Sequence, residues 1–252
     1  MDPNPSSSPS HSVRRLNQLA ASLGCRSYLE IGVETGATLL QVAVEQRTGV
    51  DPSFAFDWQL HHGRDGLQLH RCTSDVFFAE LEPSTRYDLI FLDGLHTFDQ
   101  TYRDILHALR HSHPGTVILI DDTFPSDVFS ACRDQQECLS LRAQFADASD
   151  MRWHGDTYKV VPLLALFHCD FRLLTLVDVG NPQTLLWRPL LPGQEDAIRT
   201  MQAMWAVQNL AAADYLWLLA NLSLYNLIPE VQGLQELISS ITLTDHPPGA
   251  SC

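Results

Sequence analysis

Between Tyr87 and Pro125 the chain reads YDLIFLDGLHTFDQTYRDILHALRHSHPGTVILIDDTFP. Asp93 closes the apolar run Leu89 to Leu92, Asp121 and Asp122 close the run Thr116 to Ile120, and His96 follows three residues after Asp93. Carboxylates gathered in one cleft repel and raise one another's pKa, so a cluster of three calls for an opposite charge. A divalent cation supplies it, because carboxylate oxygens are the hard ligands that Mg2+, Mn2+ or Ca2+ accept. An imidazole beside such an ion is a candidate general base, with Asp93 as the alternative for that role. Taken singly, each acid reads equally well as a helix cap or a solvated strand end; as a set, Asp93, Asp121, Asp122 and His96 point to a site. Neighbouring side chains on a strand face opposite ways, so Asp121 and Asp122 can share an ion only where the strand has already ended.

The elements that position these residues follow from the pattern. The two apolar runs have the continuous hydrophobicity of strands buried on both faces. Ile105, Leu106 and Leu109 repeat at helical spacing between them, and His113-Pro114-Gly115 ends the helix. A strand, helix, strand unit crosses over right-handedly, which makes the strands parallel and brings both acid groups to one sheet edge. Ligands of open α/β sheets bind at that edge.

Upstream, an amphipathic helix is expected over Ser12 to Leu23, then a strand Ser27 to Ile31, a turn holding Gly32 and Gly36, and a helix over Ala37 to Glu45. The turn has Glu34 where a G-x-G-x-x-G fingerprint needs its second glycine, and it lacks a P-loop lysine. Glu30, at the strand end, suits a cationic or hydroxyl-bearing ligand better than a pyrophosphate. Asp51 ends the next strand, about twenty residues past the glycine turn, where an acid takes the hydroxyls of a ribose. Pro52 to Gly66 is a long loop with Phe54, Phe56, Trp58, His61 and His62, either a lid or adenine wall or a surface loop with a hydrophobic anchor. Leu67 to Cys72 reads as a strand, and Thr73-Ser74-Asp75 can both cap the following helix and offer polar atoms to an adenine edge.

Leu29-Glu30-Ile31-Gly32-x-x-x-Gly36, Asp51, Thr73-Ser74-Asp75 and Phe91 to His96 follow in the order of class I S-adenosylmethionine-dependent methyltransferases, which the chain resembles over about Tyr28 to Arg188. The Asp93-x-x-His96 and Asp121-Asp122 pairs are similar to those of metal-dependent sugar O-methyltransferases of macrolide and aminocoumarin pathways. The resemblance implies a Rossmann-like, doubly wound, mostly parallel seven-stranded α/β sheet closed by an antiparallel hairpin. It also implies that Gly32, Gly36 and Asp51 hold the cofactor, that the three acids hold magnesium, and that His96 is the base. The chain lacks much of that family's extended N-terminal region.

Asp127 to Phe145 is expected to be helical. Trp153, His154, Asp156 and Lys159 surround a glycine in a stretch also similar to the family, near its acceptor pocket; an aromatic plate with polar neighbours holds sugar rings, and Asp156 serves equally as a helix cap. Phe171 to Val177 and Thr184 to Arg188 flank Gly180-Asn181-Pro182 as the closing hairpin. The chain is divided as a disordered tail (1–12), a methyltransferase core (13–192), a C-terminal helical extension (193–240) that forms an acceptor wall or homo-oligomer surface, and a second tail (241–252).

A net charge of −14 argues against nucleic-acid or anionic-membrane surfaces and leaves a small molecule as the default partner. The six cysteines hold no CxxC pair and fit a reduced, cytoplasmic protein, and the opening residues do not read as a signal peptide. The activity expected is S-adenosylmethionine-dependent, metal-assisted O-methylation of a sugar or glycosylated small molecule. A catechol-like diol, or a non-catalytic methyltransferase-like module, are the alternatives; a nicotinamide oxidoreductase is disfavoured by the missing glycine.

Overall fold

The structure is a computed structural model that describes residues 9–168, 170–188 and 210–242. Strands β1 (Ser27–Ile31), β2 (Gln46–Val50), β3 (Leu67–His70), β4 (Leu89–Leu92), β5 (Val117–Ile120), β6 (Arg172–Leu176), β7 (Gln183–Trp187) and β8 (Leu227–Ile228) form one sheet in the order β3-β2-β1-β4-β5-β7-β6-β8. β1 to β5 run parallel, β7 is antiparallel to both β5 and β6, and β8 is parallel to β6.

Side-chain alternation sorts each strand's apolar residues into two cores. Leu29, Ile31, Ile90, Leu92, Ile118 and Ile120 face one side, where they meet α3 (Phe98–Arg110) and α5 (Val160–Phe167). Tyr28, Leu89, Phe91, Val117 and Leu119 face the other, against α1 (His11–Leu23) and the C-terminal helix, with Leu16, Leu19, Leu234 and Leu237 buried there. The remaining helices, in chain order, are α2 (Ser74–Glu80), α4 (Gln135–Phe145), α6 (Tyr215–Ala220) and α7 (Glu230–Thr242), the last being that C-terminal helix.

Three segments depart from the sequence reading. The helix expected over 37–45 is only one 3-10 turn, Leu39–Gln41. Asn17 of α1 explains it: its side chain takes the Gln41 carbonyl at 3.0 Å and the Ala43 amide at 2.7 Å, groups a helix would bond internally. The helix expected from 127 begins only at Gln135, because Asp134 caps it through the Glu137 amide. Asp127 instead accepts the Ser130 amide and pairs with Arg142. The eighth strand lies in a stretch read as helical; Asn226, at φ 46, turns the chain out of a 3-10 helix, and its carbonyl accepts the Thr175 amide of β6. The part of the helical reading over 194–209 falls outside the described residues. Among the described residues, no helix is long and apolar enough to cross a membrane.

Candidate active site

β1 gives way at Gly32 to a turn that passes directly over the end of β4. Gly32 has φ 88, and a Cβ there would stand 1.8 Å from the Asp93 carbonyl oxygen, so any side chain would push the two strand ends apart. Asp51, at the end of β2, accepts the Glu34 amide at 2.8 Å and the Ser53 amide at 2.6 Å. These bonds fold the two turns into the wall of a cleft of about 730 Å³, and a carboxylate retains acceptor capacity beyond two bonds. Glu30 and Ser74 also line it. Glu30 is buried and receives the Tyr28 hydroxyl at 2.5 Å; burial pushes its carboxyl up to about 8.

Two cleft residues escaped the sequence reading. Gln100 donates to Ser74 at 3.1 Å, to Asp75 at 3.3 Å and to Asp104 at 3.0 Å, and burial raises Asp104 to about 6. A polar pair at i and i+4 on the inward face of α3 is the signal that could have found them. Asp75 itself stands beside Arg103 rather than on the cleft wall. Gly36 lies against Phe56, which packs with Phe54 and Trp58 on the α1 side of the sheet.

At the other strand ends, β5 stops at Ile120, and Asp122 takes φ 57. That left-handed residue breaks the alternation, so both carboxylates turn into the site. Asp93, His96 and Asp122 each place one ligand atom within 4.8 Å of the others. His96 Nδ1 lies 2.5 Å from Asp122 Oδ2, and Nε2 lies 3.7 Å from Asp93 Oδ1. The Nδ1 contact lacks hydrogen-bond alignment, leaving a buried polar atom unsatisfied beside Asp122. Asp121 stands beside this group, with Oδ1 taken by the Asp122 amide at 2.8 Å and by Asn181 at 2.5 Å.

Burial, and then Asp121 and Asp122, push Asp93 well above the usual carboxylate range; burial and Asp122 raise Asp121 to about 7. Burial alone would also raise Asp122, but His96 holds it below its ordinary value. The same burial would lower His96, and the Asp122 carboxylate outweighs it, so the imidazole is a stronger base than a free one. Mutual repulsion among acids, a hard oxygen donor set and an unsatisfied imidazole nitrogen fit a divalent cation.

Trp153 stacks on His96 at 5.0 Å between ring centres and 7° between planes, with its indole N–H on the Cys132 carbonyl at 2.7 Å. Gly155, at φ 64, holds this stretch in place, since a Cβ there would come 1.8 Å from the His96 carbonyl oxygen. Trp153 is also the wall between the first cleft and a second cavity of about 610 Å³, whose lining includes Asp122, Phe124, His154, Asn181 and Tyr215. His154 Nε2 meets Asn181 Oδ1 at 2.9 Å. Asp156 and Lys159 are placed elsewhere: Asp156 caps α3 through the Phe98 amide at 2.7 Å, and the Lys159 ammonium bridges Asp156 and the Ala211 carbonyl. Neither lines the cavity.

Residues 29–123 match a protein family described as a methyltransferase domain. No curated protein matches the chain in sequence. In structure the chain is similar to a cofactor-bound protein, Rv0187 from MTB, at TM-score 0.50 and 17% identity, over 74% of this chain and 83% of that one. It is similar to a putative caffeoyl-CoA O-methyltransferase from Staphylococcus aureus at TM-score 0.50 and 12% identity, over 70% and 82%. The O-methyltransferase TomG from Streptomyces achromogenes, involved in tomaymycin synthesis, aligns at TM-score 0.49 and 18% identity, over 73% and 82%. The matched stretch holds the glycine turn, Asp51, Asp93, His96 and both acids after β5, and the sheet order is that of the same fold. Residues 29–123 thus match a methyltransferase domain, and the chain shares the fold of these solved structures.

Proposed function

We propose that the protein transfers the methyl group of S-adenosylmethionine to a hydroxyl of a sugar or glycosylated small molecule, assisted by a divalent cation. The observation that carries this reading is the junction of cleft and cavity at Trp153, where His96 faces the first and Asp122 the second. A donor in the cleft and an acceptor in the cavity would meet at these two side chains.

The cleft suits the donor. Asp51 keeps free lone pairs for ribose hydroxyls, Glu30 offers an acid to the cationic amino acid part, and Ser74 with Gln100 presents polar atoms at the base end. The cavity suits the acceptor: Trp153, Phe124 and Tyr215 offer aromatic faces, while Asp122, His154 and Asn181 offer polar atoms. Mg2+ or Mn2+ held by Asp93 and Asp122 would lower the pKa of an acceptor hydroxyl.

His96 removes the proton. With Asp122 2.5 Å from Nδ1, Nε2 is the nitrogen left to accept it, and the Asp122 charge stabilises the imidazolium that forms. The acceptor oxygen attacks the sulfonium methyl carbon, the carbon–sulfur bond breaks toward sulfur, and S-adenosylhomocysteine leaves. Alignment of a pre-activated methyl group is most of what the protein must supply.

Calorimetric titration of metal-stripped protein with S-adenosylmethionine and S-adenosylhomocysteine, with and without Mg2+, tests the donor. Micromolar binding is expected; binding of neither ligand would remove the methyl-transfer reading. Transfer of labelled methyl to a panel of glycosides is expected to stop in excess chelator and return with Mg2+. Transfer indifferent to chelator would remove the cation from the mechanism.

A further inference from the structure

Resting on the cation-assisted reading, we propose that Asn181 is a ligand of the cation, presenting its side-chain carbonyl by a half-turn of its amide. Asn181 sits in the turn between β6 and β7, outside the stretch that matches the methyltransferase family. Its Nδ2 lies 2.5 Å from Asp121 Oδ1 and 2.6 Å from Asp122 Oδ1, and its Oδ1 lies 2.9 Å from His154 Nε2. In this arrangement the amide donates one N–H to each acid, standing between the carboxylates where positive charge is wanted.

A cation on Asp122 reverses that preference. The N–H end of the amide dipole is repelled by it, whereas the carbonyl oxygen is a hard donor of the kind Mg2+ and Mn2+ accept. The two ends of an asparagine amide have the same shape, so a half-turn about the Cβ–Cγ bond exchanges them without displacing a neighbour. The NH2 group then faces His154 Nε2, which must accept, so the imidazole proton moves to Nδ1. His154 is buried and its Nδ1 has no hydrogen-bond partner, so no existing bond opposes the tautomer change.

The turn is held in place for this. Arg15, fully buried on α1, donates to the backbone carbonyls of Val179 and Asn181 and to the Gln183 side chain, and Glu230 of α7 anchors its guanidinium at 2.5 Å. Two helices outside the family match thus fix the height of the Asn181 amide above the acids. Asn181 also adds to a donor set that Asp93 and Asp122 alone leave sparse, since Oδ1 of Asp121 is engaged by the Asp122 amide.

The test is uptake of Mn2+ by the full-length protein, with the fold followed by S-adenosylhomocysteine binding. Asn181→Ala should weaken Mn2+ binding by about tenfold to a hundredfold while S-adenosylhomocysteine affinity stays within twofold. In wild-type protein carrying 13C-labelled asparagine, electron–nuclear double resonance of bound Mn2+ should show coupling to an amide carbon, absent in Asn181→Ala. The wild-type spectrum needs no variant to fold. Mn2+ bound without 13C coupling, or with equal affinity in Asn181→Ala, overturns the assignment and leaves the cation-assisted reading standing. A wild-type protein that takes up no Mn2+ brings down both.

Discussion

The first cleft, the proposed donor site, draws most of its wall from the ends of β1, β2 and β4 and the turns just after them, within the family-matched stretch. The second cavity takes Phe124 from after β5, Trp153 and His154 from the stretch before α5, Asn181 from the β6–β7 turn and Tyr215 from α6. Its supports reach further, to Arg15 of α1 and Glu230 of α7. The cleft is thus a local product of strand-to-turn geometry, whereas the cavity depends on contacts between chain segments more than a hundred residues apart. A site assembled this way can keep one donor while the acceptor side varies, because loops far apart in sequence change independently of the glycine turn.

The sharpest way to break this comparison is at the junction. His96→Ala should lower turnover by about a hundredfold to ten-thousandfold, the range for a positioned general base, with S-adenosylhomocysteine affinity nearly unchanged by calorimetry. Near-normal turnover in that variant would sink the assignment.

Asp51→Ala acts on the cleft alone. It leaves the Glu34 and Ser53 amides without their acceptor, and each such loss costs about 1–3 kcal/mol. Donor affinity should fall by about tenfold or more, since 1.4 kcal/mol is a factor of ten. Mn2+ uptake should hold, and a loss there instead would mean that the two regions are not separable.

Arg15→Met acts on the far side. Removing one partner of a buried ion pair costs about 3–5 kcal/mol, moderated here because Arg14 also pairs with Glu230. Thermal unfolding should shift down and acceptor KM should rise, with donor affinity unchanged. Equal damage to donor and acceptor binding would show that α1 supports the whole sheet edge rather than the hairpin.

The smallest effect is a pH slope. Glu30 is raised from 4.5 to about 8 in the folded chain, so between these values the native state holds a proton that the unfolded state has lost. Stability from this group is therefore present at low pH and declines as pH rises toward 8. Glu30→Gln should flatten that decline in unfolding curves taken from pH 5 to 8, and an unchanged slope would locate the titration elsewhere.

Much of the cleft was legible in the residues themselves. Apolar runs ending in acids mark buried parallel strands, and right-handed crossover places their ends on one edge, so Asp51, Asp93 and the Asp121-Asp122 pair could be located without coordinates. Glycine at position 32 was readable for the same local reason, because only a residue without Cβ passes over a strand end so closely. The helix expected after Gly36 failed because Asn17, from a different element, captures the Gln41 and Ala43 backbone groups.

The second cavity, the proposed acceptor side, was only partly legible. Trp153 and His154 declared themselves by type, but the same stretch proposed Asp156 and Lys159, which the fold uses to cap α3 and to bind a carbonyl. Asn181 read as an ordinary turn residue between two strands. Nothing in Gly-Asn-Pro says that its amide will reach two aspartates, and that contact exists only because β7 inserts antiparallel between β5 and β6. Period and strand-end chemistry are local, so the sequence by itself determined the sheet's parallel half and the acids on its edge. Which distant side chains close over those acids is set by strand order and by buried pairs such as Arg15 and Glu230, and only the tertiary structure decides that.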